Sequence, residues 1–334
     1  MNVNTTTSRR SPLSHGIACA VGATLLTLAG PAAQAQAWPA KPVRTIVPFA
    51  AGGPLDSIGR LVNERLSQRL GQAFVMENRG GAGGNIGTDA ALKAAADGYT
   101  FAWVVDFVLT HNPALYPKMP FDVEKDLQPV ASVTSSEVAL VAHPALAAKT
   151  MGELVTLARQ KPIAFPSAGV GSPGHVFGEL FKHEFKLEQM THVPYKGNAP
   201  ATQSIIAGDT QAFFGSLSGA LPHIRTGKLR PLAVFSRQRL PYLAEVPTAL
   251  EQGFAKFEVR TWFAIVAPAA TPREIVLRLN REVAAIAAER DFVERAEKAG
   301  HAPFVTTPEE MRSLIRSEGA RWQAVIRSAG IRAE

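Results

Sequence analysis

Two glycine-rich segments in the first third of the chain have the composition of anion-binding loops. Residues 49–56 read Phe-Ala-Ala-Gly-Gly-Pro-Leu-Asp, and residues 78–87 read Asn-Arg-Gly-Gly-Ala-Gly-Gly-Asn-Ile-Gly. Each follows an apolar, strand-like run and precedes apolar residues at helical spacing. Unpaired N–H groups at the start of a helix attract anions. The pattern therefore predicts two helix N-termini around one anion, although glycines also serve simply to make tight turns.

A third strand–glycine–helix segment carries hydroxyl groups and a histidine. Residues 164–175 read Ala-Phe-Pro-Ser-Ala-Gly-Val-Gly-Ser-Pro-Gly-His. A serine nucleophile in a strand-to-helix turn needs Gly-x-Ser-x-Gly, and Val170 stands where Ser172 requires a glycine. Phe214 breaks the same pattern around Ser216. An exported serine hydrolase acting on a small ester stays open as the alternative function.

Other kinds of site have less support in the sequence. A dinucleotide fingerprint starting at Gly81 would need a glycine at position 86, where Ile86 stands. The eight histidines include no His-Glu-x-x-His pair and the single cysteine is Cys19, so neither a metal nor another cofactor is expected. The 35 basic and 28 acidic residues are interspersed, which argues against a nucleic-acid partner.

Strand-like and helix-like segments alternate along the chain, which is typical of an α/β protein with mainly parallel sheets flanked by helices. Strands are predicted over residues 43–49, 74–77, 99–105, 138–142, 163–165, 211–214, 232–235 and 263–267. Helices are predicted over residues 58–70, 86–95, 151–160, 176–185, 199–207, 221–226, 272–288 and 309–328.

The N-terminal residues 1–37 have the features of an export signal. Arg9 and Arg10 precede an apolar run over residues 17–29, and Ala-Gln-Ala at 35–37 suits a signal peptidase. The run of about 13 residues is shorter than the about 20 that span a bilayer. We therefore expect cleavage after Ala37 and an exported mature protein.

The remaining chain is long enough for two domains. It contains no Pro/Ser/Gly-rich or charged spacer, so the chain is expected to cross between the domains on strands, near residues 138–144 and 261–268. Domain I would comprise residues 38–142 and 260–334, and domain II residues 143–259. A ligand site is expected in the cleft between them.

A series of motifs then resembles one family. In order along the chain these are Trp38-Pro39-x-Lys41-Pro42-x-Arg44, Gly52-Gly53, Glu77-Asn78-Arg79, Gly81-Ala82-Gly83-Gly84-Asn85-Ile86-Gly87, Ala96-Asp97-Gly98-Tyr99-Thr100, Asn112-Pro113-x-Leu115-Tyr116, Ser167-Ala168-Gly169-x-Gly171-Ser172, His192-Val193-Pro194-Tyr195-Lys196-Gly197 and Val246-Pro247-Thr248. Together they resemble the Bug family, the periplasmic solute receptors of tripartite tricarboxylate transporters. The resemblance implies a two-domain periplasmic-binding-protein fold of the Venus-flytrap type, joined by two crossover strands. It also implies a monomeric, non-enzymatic receptor that delivers a small carboxylate to membrane permease subunits.

The resemblance also implies where the ligand binds. Backbone N–H groups of the first two glycine loops hold the carboxylate in this family, and the opposite domain adds further contacts. Carried over to this sequence, these positions are Ala51, Gly52, Gly53, Gly83, Gly84 and Asn85, with Ser167, Ala168, Gly169, Ser172 and Tyr195 opposite.

Departures from the family pattern bear on the identity of the ligand. Gly215 and Ser216 stand where many relatives have Asp-Asn, which argues against a ligand amine, although Asp106 is a candidate negative partner near the cleft. Phe214, Val108 and Leu109 would make the cleft partly apolar if they face it. An aromatic or medium-chain mono- or dicarboxylate is therefore the expected ligand class.

Overall fold

The computed structural model describes residues 1–7, 38–254 and 259–332. Residues 1–7 form neither helix nor strand and are exposed. The apolar run of the predicted export signal, Cys19 and the cleavage position at Ala37 all lie outside the described residues. Within the ranges that are described, no helix is both long and apolar enough to cross a membrane.

The first part of the fold consists of parallel strands connected by helices. Strand β1 pairs in parallel with β2 on one side and with β3 on the other. The two glycine loops follow β1 and β2, so both lie at the carboxyl edge of this sheet. The elements are β1 (Val43–Val47), α1 (Pro54–Leu70), β2 (Phe74–Asn78), α2 (Asn85–Leu92), β3 (Thr100–Val105), α3 (Asp106–Thr110) and α4 (Asn112–Leu115).

A strand of 16 residues, β4 (Leu127–Ala142), connects this sheet to the strands that follow. Its residues 127–137 pair antiparallel with β9 (Arg260–Pro268), and its residues 138–142 pair antiparallel with β7 (Ala212–Ser216) and β8 (Arg230–Val234). The sequence predicts only the last five residues of β4, because hydroxyl side chains interrupt the earlier apolar pattern. Those hydroxyls are paired in the fold: Ser132 Oγ donates to the carbonyl of Phe304 at 2.6 Å.

The middle of the chain repeats the strand–helix alternation, and helices dominate its end. Strands β5 and β6 form a separate parallel sheet of two strands. All pairings of β4 are antiparallel, so the eight-stranded sheet, which also contains the parallel pairs of β1, is mixed. The sequence patterns do not predict β6, β10, α3, α4 and α10, which are short or polar. The remaining elements are α5 (Met151–Gln160), β5 (Ile163–Ser167), α6 (Pro173–Phe185), β6 (Met190–Pro194), α7 (Asn198–Ala207), α8 (Leu217–Arg225), α9 (Arg273–Ala287), α10 (Arg290–Lys298), β10 (Ala302–Pro303) and α11 (Pro308–Ser328).

The two faces of β7 belong to two different hydrophobic cores. Phe214 packs with Phe165 and Phe181 in one core, which also receives Trp322 from α11. Phe213 belongs to the other core, together with residues of α7 and α8. Adjacent residues of a strand point to opposite faces, so this division follows directly from the strand geometry.

Candidate ligand-binding cavity

A small, partly open cavity of about 50 Å³ lies where four helices begin. That volume holds a few water molecules. Its wall includes Pro54 at the start of α1, Pro173 at the start of α6, Asn198 at the start of α7 and Ser216 immediately before α8. Because each helix N-terminus carries partial positive charge, four of them around one small cavity favour an anion there.

The rest of the wall is mainly apolar and includes aromatic rings. Four phenylalanines from four segments line it, namely Phe49, Phe107, Phe213 and Phe263. Phe49 and Phe107 contact each other, with ring centroids 5.6 Å apart. Lysine, arginine and histidine do not occur among the lining residues, so an anion in this cavity would be held by dipoles and hydrogen bonds rather than by a salt bridge.

Several hydrogen-bonding groups at the cavity lack a partner within the described part of the chain, and three of them come from the predicted site residues. They are the backbone N–H of Gly53, the backbone N–H of Ala168 and the hydroxyl of Ser172. Ser172 is completely buried and is the N-cap residue of α6, yet its side chain makes no capping hydrogen bond. A buried polar group without a partner costs free energy, so these groups are available to a ligand oxygen.

The first glycine loop differs from the expectation at Gly52. Its N–H donates to Asp56 Oδ2 at 3.0 Å, so it is not free for a ligand, and neither Ala51 nor Gly52 lines the cavity. Asp56 also accepts hydrogen bonds from Arg60 and Asn78. Burial alone would raise the pKa of Asp56, but these hydrogen bonds lower it below its usual value. Asp56 therefore stays ionised and fixes the loop.

The second glycine loop lines a neighbouring cavity of about 200 Å³. Gly83 and Gly84 lie on one side of it, and Gly169 and Tyr195 on the other. The N–H groups of Gly84 and Asn85 donate within the loop, to the carbonyls of Gly81 and Ala82, so they are not free for a ligand. The side chain of Asn85 accepts a hydrogen bond from Asn112 of α4. Ala168 lines both cavities and is the point where they meet.

Contacts from α3 and α4 hold the segment 168–172 in place. His111 Nδ1 lies 3.0 Å from the carbonyl oxygen of Gly171, and the hydroxyl of Tyr116 donates to the carbonyl of Val170 at 3.2 Å. Burial lowers the pKa of His111 to about 3, so this histidine is neutral at neutral pH. Ser167 supports the same segment from within, because its hydroxyl contacts both backbone groups of Gly169.

Besides Ala51 and Gly52, four predicted site residues line neither cavity, namely Asn85, Asp106, Ser167 and Phe214. The prediction that Phe214 faces the cleft is wrong: the ring is fully buried in a core, and Phe213 lines the cavity instead. Val108 is fully buried as well and lines neither cavity. Asp106 lies behind the wall, where it accepts a hydrogen bond from the lining residue Thr261.

Several lining residues were missed by the sequence analysis. Phe49, Phe107, Asn198, Thr261 and Phe263 line the cavity and were not predicted as contacts. Four of them lie at a strand end or a helix start, and that position is the signal that could have indicated them. The fifth, Phe263, lies within β9 and gave no such signal.

The geometry at the cavity provides no serine–histidine pair for the hydrolase alternative. His175 Nδ1 accepts the N–H of Gly171 at 3.2 Å, and Ser172 Oγ has no partner in the ranges described. Ser167 Oγ does lie 2.7 Å from His192 Nε2, but Ser167 is completely buried and, unlike Ser172, lines neither cavity. A nucleophile in that position is closed to an ester substrate.

Comparison with known proteins identifies the family. The family model described as "Tripartite tricarboxylate transporter family receptor" matches residues 58–331. This chain belongs to that receptor family. The receptor is 36% identical over 299 residues to protein BugT of Bordetella pertussis, an alignment that covers 89% of this chain and 91% of BugT. The Bug-family resemblance is thereby confirmed, and the matched family is one of receptors rather than enzymes.

Solved structures confirm the fold of the receptor. The Rhodopseudomonas palustris protein Rpa4515 with adipate superimposes with a TM-score of 0.84 at 35% identity, over 88% of this chain and 98% of that protein. MatC from the same organism, with bound malate, gives a TM-score of 0.83 at 30% identity, over 86% of this chain and 99% of MatC. The receptor therefore has the α/β periplasmic-binding-protein fold.

Proposed function

We propose that this chain is a periplasmic receptor that binds a small carboxylate with an apolar body and delivers it to the membrane permease of a tripartite transporter. One observation carries the proposal: a mainly apolar cavity is surrounded by four helix N-termini and by the unpartnered N–H groups of Gly53 and Ala168. The family match supports the transport role.

The donors suit the carboxylate group of the ligand. Gly53 and Ala168 offer N–H groups, and Ser172 offers a hydroxyl, at the same cavity. Each hydrogen bond to a charged partner contributes roughly 1.5–3 kcal/mol. A carboxylate held in this way needs no cationic side chain, which fits a receptor that must also release its ligand.

The phenylalanine walls suit the body of the ligand. Two proteins similar to the receptor have solved structures with a carboxylate, Rpa4515 with adipate and MatC with malate. These structures support a carboxylate ligand in general. Burying a ring or about four methylenes is worth about 2–3 kcal/mol, at about 0.8 kcal/mol per CH₂. This corresponds to about 30- to 100-fold in affinity and separates an apolar-bodied acid from citrate or aspartate.

The sequence predicts two domains, one of residues 38–142 and 260–334 and the other of residues 143–259. These domains would close over this cavity. The backbone contact between the N–H of Ala50 and the carbonyl of Lys196, at 3.2 Å, supports such a closure because it joins the two proposed domains beside the cavity. We expect the receptor to act as a monomer.

Calorimetric titration of the mature protein tests the ligand class. Hexanoate, adipate and phenylacetate should each bind more tightly than citrate, malate, aspartate and glutamate. A ligand at 100-fold its Kd should also raise the free energy of unfolding by about 2.7 kcal/mol in a thermal-shift assay. Tighter binding of citrate or glutamate would contradict the proposed ligand class, and hydrolysis of an ester by the protein would favour the enzyme alternative.

A further inference from the structure

A carboxamide without a hydrogen-bond partner lines the cavity of about 50 Å³. Asn198 is the first residue of α7 and is half-buried, and its side chain makes no hydrogen bond to any residue that the structure describes. The Nδ2 atom lies against the first turn of α8, where a Cβ at Gly219 would come within 2.6 Å of it. The missing side chain at position 219 therefore leaves room for this carboxamide at the cavity wall.

A hydroxyl group at the start of α8 offers a proton to the same cavity. Ser216, the N-cap residue of α8, lines the cavity, and its Oγ lies 2.8 Å from Oγ of Ser218. One hydrogen bond uses only one of the two hydroxyl protons. Ser218 is buried and has no other acceptor within residues 38–254 and 259–332, so donation from Ser218 to Ser216 is the arrangement that pairs its proton. The hydroxyl proton of Ser216 is then free for a ligand.

These groups give the cavity more donors than one carboxylate can use. Asn198 offers two N–H bonds and Ser216 one O–H bond, in addition to the N–H groups of Gly53 and Ala168 and the hydroxyl of Ser172. That makes six donor hydrogens, whereas the two oxygens of a carboxylate accept about four hydrogen bonds. Asn198 also brings an unpaired acceptor, Oδ1, which a carboxylate cannot satisfy because it has no proton to donate.

A hydroxyl group next to the carboxylate of a ligand matches both surpluses. Its oxygen accepts a hydrogen bond from one of the remaining donors, and its proton is donated to Asn198 Oδ1. The cavity volume of about 50 Å³ restricts such a second oxygen to the carbon beside the carboxylate. A ligand without this hydroxyl would leave the same groups to water.

We propose that Asn198 and Ser216 recognise a hydroxyl group on the carbon adjacent to the ligand carboxylate, so that the receptor prefers 2-hydroxy acids to the unsubstituted acids of the same length. This inference rests on the proposed function and narrows its ligand class. The carboxylate binds to Gly53, Ala168 and Ser172, as proposed above. The apolar body of the ligand keeps its place along the phenylalanine rings of the wall.

Hexanoate and 2-hydroxyhexanoate form the probe pair, because they differ only in that hydroxyl group. In calorimetric titrations of the mature protein, one enantiomer of 2-hydroxyhexanoate should bind at least about tenfold more tightly than hexanoate, since a site with groups for a hydroxyl discriminates against a ligand that lacks it. Asn198→Leu keeps the approximate size of the side chain but removes the carboxamide. In this variant the two acids should bind within about twofold of each other.

Gln189→Leu is the matched control for Asn198→Leu. It removes a carboxamide from an exposed position that lines neither cavity, so it should keep the wild-type preference for the 2-hydroxy acid. An unchanged preference in a folded Asn198→Leu, or a loss of the preference in Gln189→Leu, overturns the role of Asn198.

The wild-type protein alone decides the matter if Asn198→Leu does not fold. Binding of hexanoate at least as tight as that of both enantiomers of 2-hydroxyhexanoate overturns this inference and leaves the receptor function standing. Binding of none of these acids, nor of any other carboxylate in the panel, overturns the receptor function and this inference together.

Discussion

Replacement of Ser172 by alanine should have opposite effects on binding and on stability. Serine at a helix N-cap normally stabilises the helix, and its loss costs about 1 kcal/mol. In this receptor the Ser172 hydroxyl makes no capping bond and is buried without a partner. Leaving a hydroxyl in that state costs roughly 1–3 kcal/mol, so Ser172→Ala should leave the free energy of unfolding unchanged or raise it by about 1 kcal/mol.

Binding should respond in the other direction. A hydrogen bond from the Ser172 hydroxyl to a ligand carboxylate is worth roughly 1.5–3 kcal/mol, so its removal should weaken the binding of hexanoate by about 10- to 150-fold. Calorimetric titration gives the affinity, and urea unfolding without ligand gives the stability. The two measurements together separate a ligand contact from a structural serine.

Ser204 offers a matched control. It is also a buried serine, but its hydroxyl donates to the carbonyl of Ala201 at 2.8 Å and lies 2.9 Å from Thr210 Oγ1, away from the cavity. Ser204→Ala should lower the free energy of unfolding by about 1 kcal/mol and leave hexanoate binding unchanged. If Ser172→Ala behaves like Ser204→Ala, the hydroxyl is an ordinary structural group and the reasoning about unpartnered donors fails.

Two further predictions concern stability. A Cβ at Gly84 would lie 2.8 Å from the ring of Phe49, at a φ of +93°, so Gly84→Ala should lower the unfolding free energy by about 2 kcal/mol or more. Gly227 has a φ of +71° and open space around it, so Gly227→Ala should lower the unfolding free energy only by the backbone strain, about 1 kcal/mol. Equal losses in the two variants would refute the packing argument. Because burial holds the pKa of His111 near 3 while that of the unfolded chain lies near 6.5, the unfolded state takes up a proton first as the pH falls. The unfolding free energy should therefore decrease below pH 6.5, with His111 contributing about 2 kcal/mol by pH 5. In His111→Asn, the loss of unfolding free energy between pH 7 and pH 5, measured by urea unfolding, should be about 2 kcal/mol smaller than in the wild type. An equal loss in both proteins would be evidence against a buried neutral histidine.

Local patterns in the sequence were sufficient for most elements. Helix α5 begins and ends where the apolar spacing predicts, and α9 and α11 differ by one residue at their ends, because helical periodicity and capping residues are local properties. Strand β4 was predicted only in part, since its polar residues find partners far along the chain, as Thr134 does with His301. The pairing of such groups is not visible in a local window.

For the candidate site, the sequence by itself determined the loops and their character. The glycines after β1 and β2, the hydroxyl-bearing segment 167–172 and the family motifs all lie in continuous stretches of chain, and the family they indicate is confirmed. Which residues bind the ligand is still a prediction. The placement of each loop at a strand end nevertheless followed from the alternation of strands and helices alone.

Only the tertiary structure decided which groups of those loops face a cavity. The N–H of Gly52 is taken by Asp56, the N–H of Gly53 is not, and no property of the two glycines distinguishes them in the sequence. Phe213 rather than Phe214 lines the cavity because the pairing of β7 with β4 determines which face each side chain takes. A shift of one residue in that register would exchange the two rings, and the register depends on contacts with residues about 70 positions away along the chain.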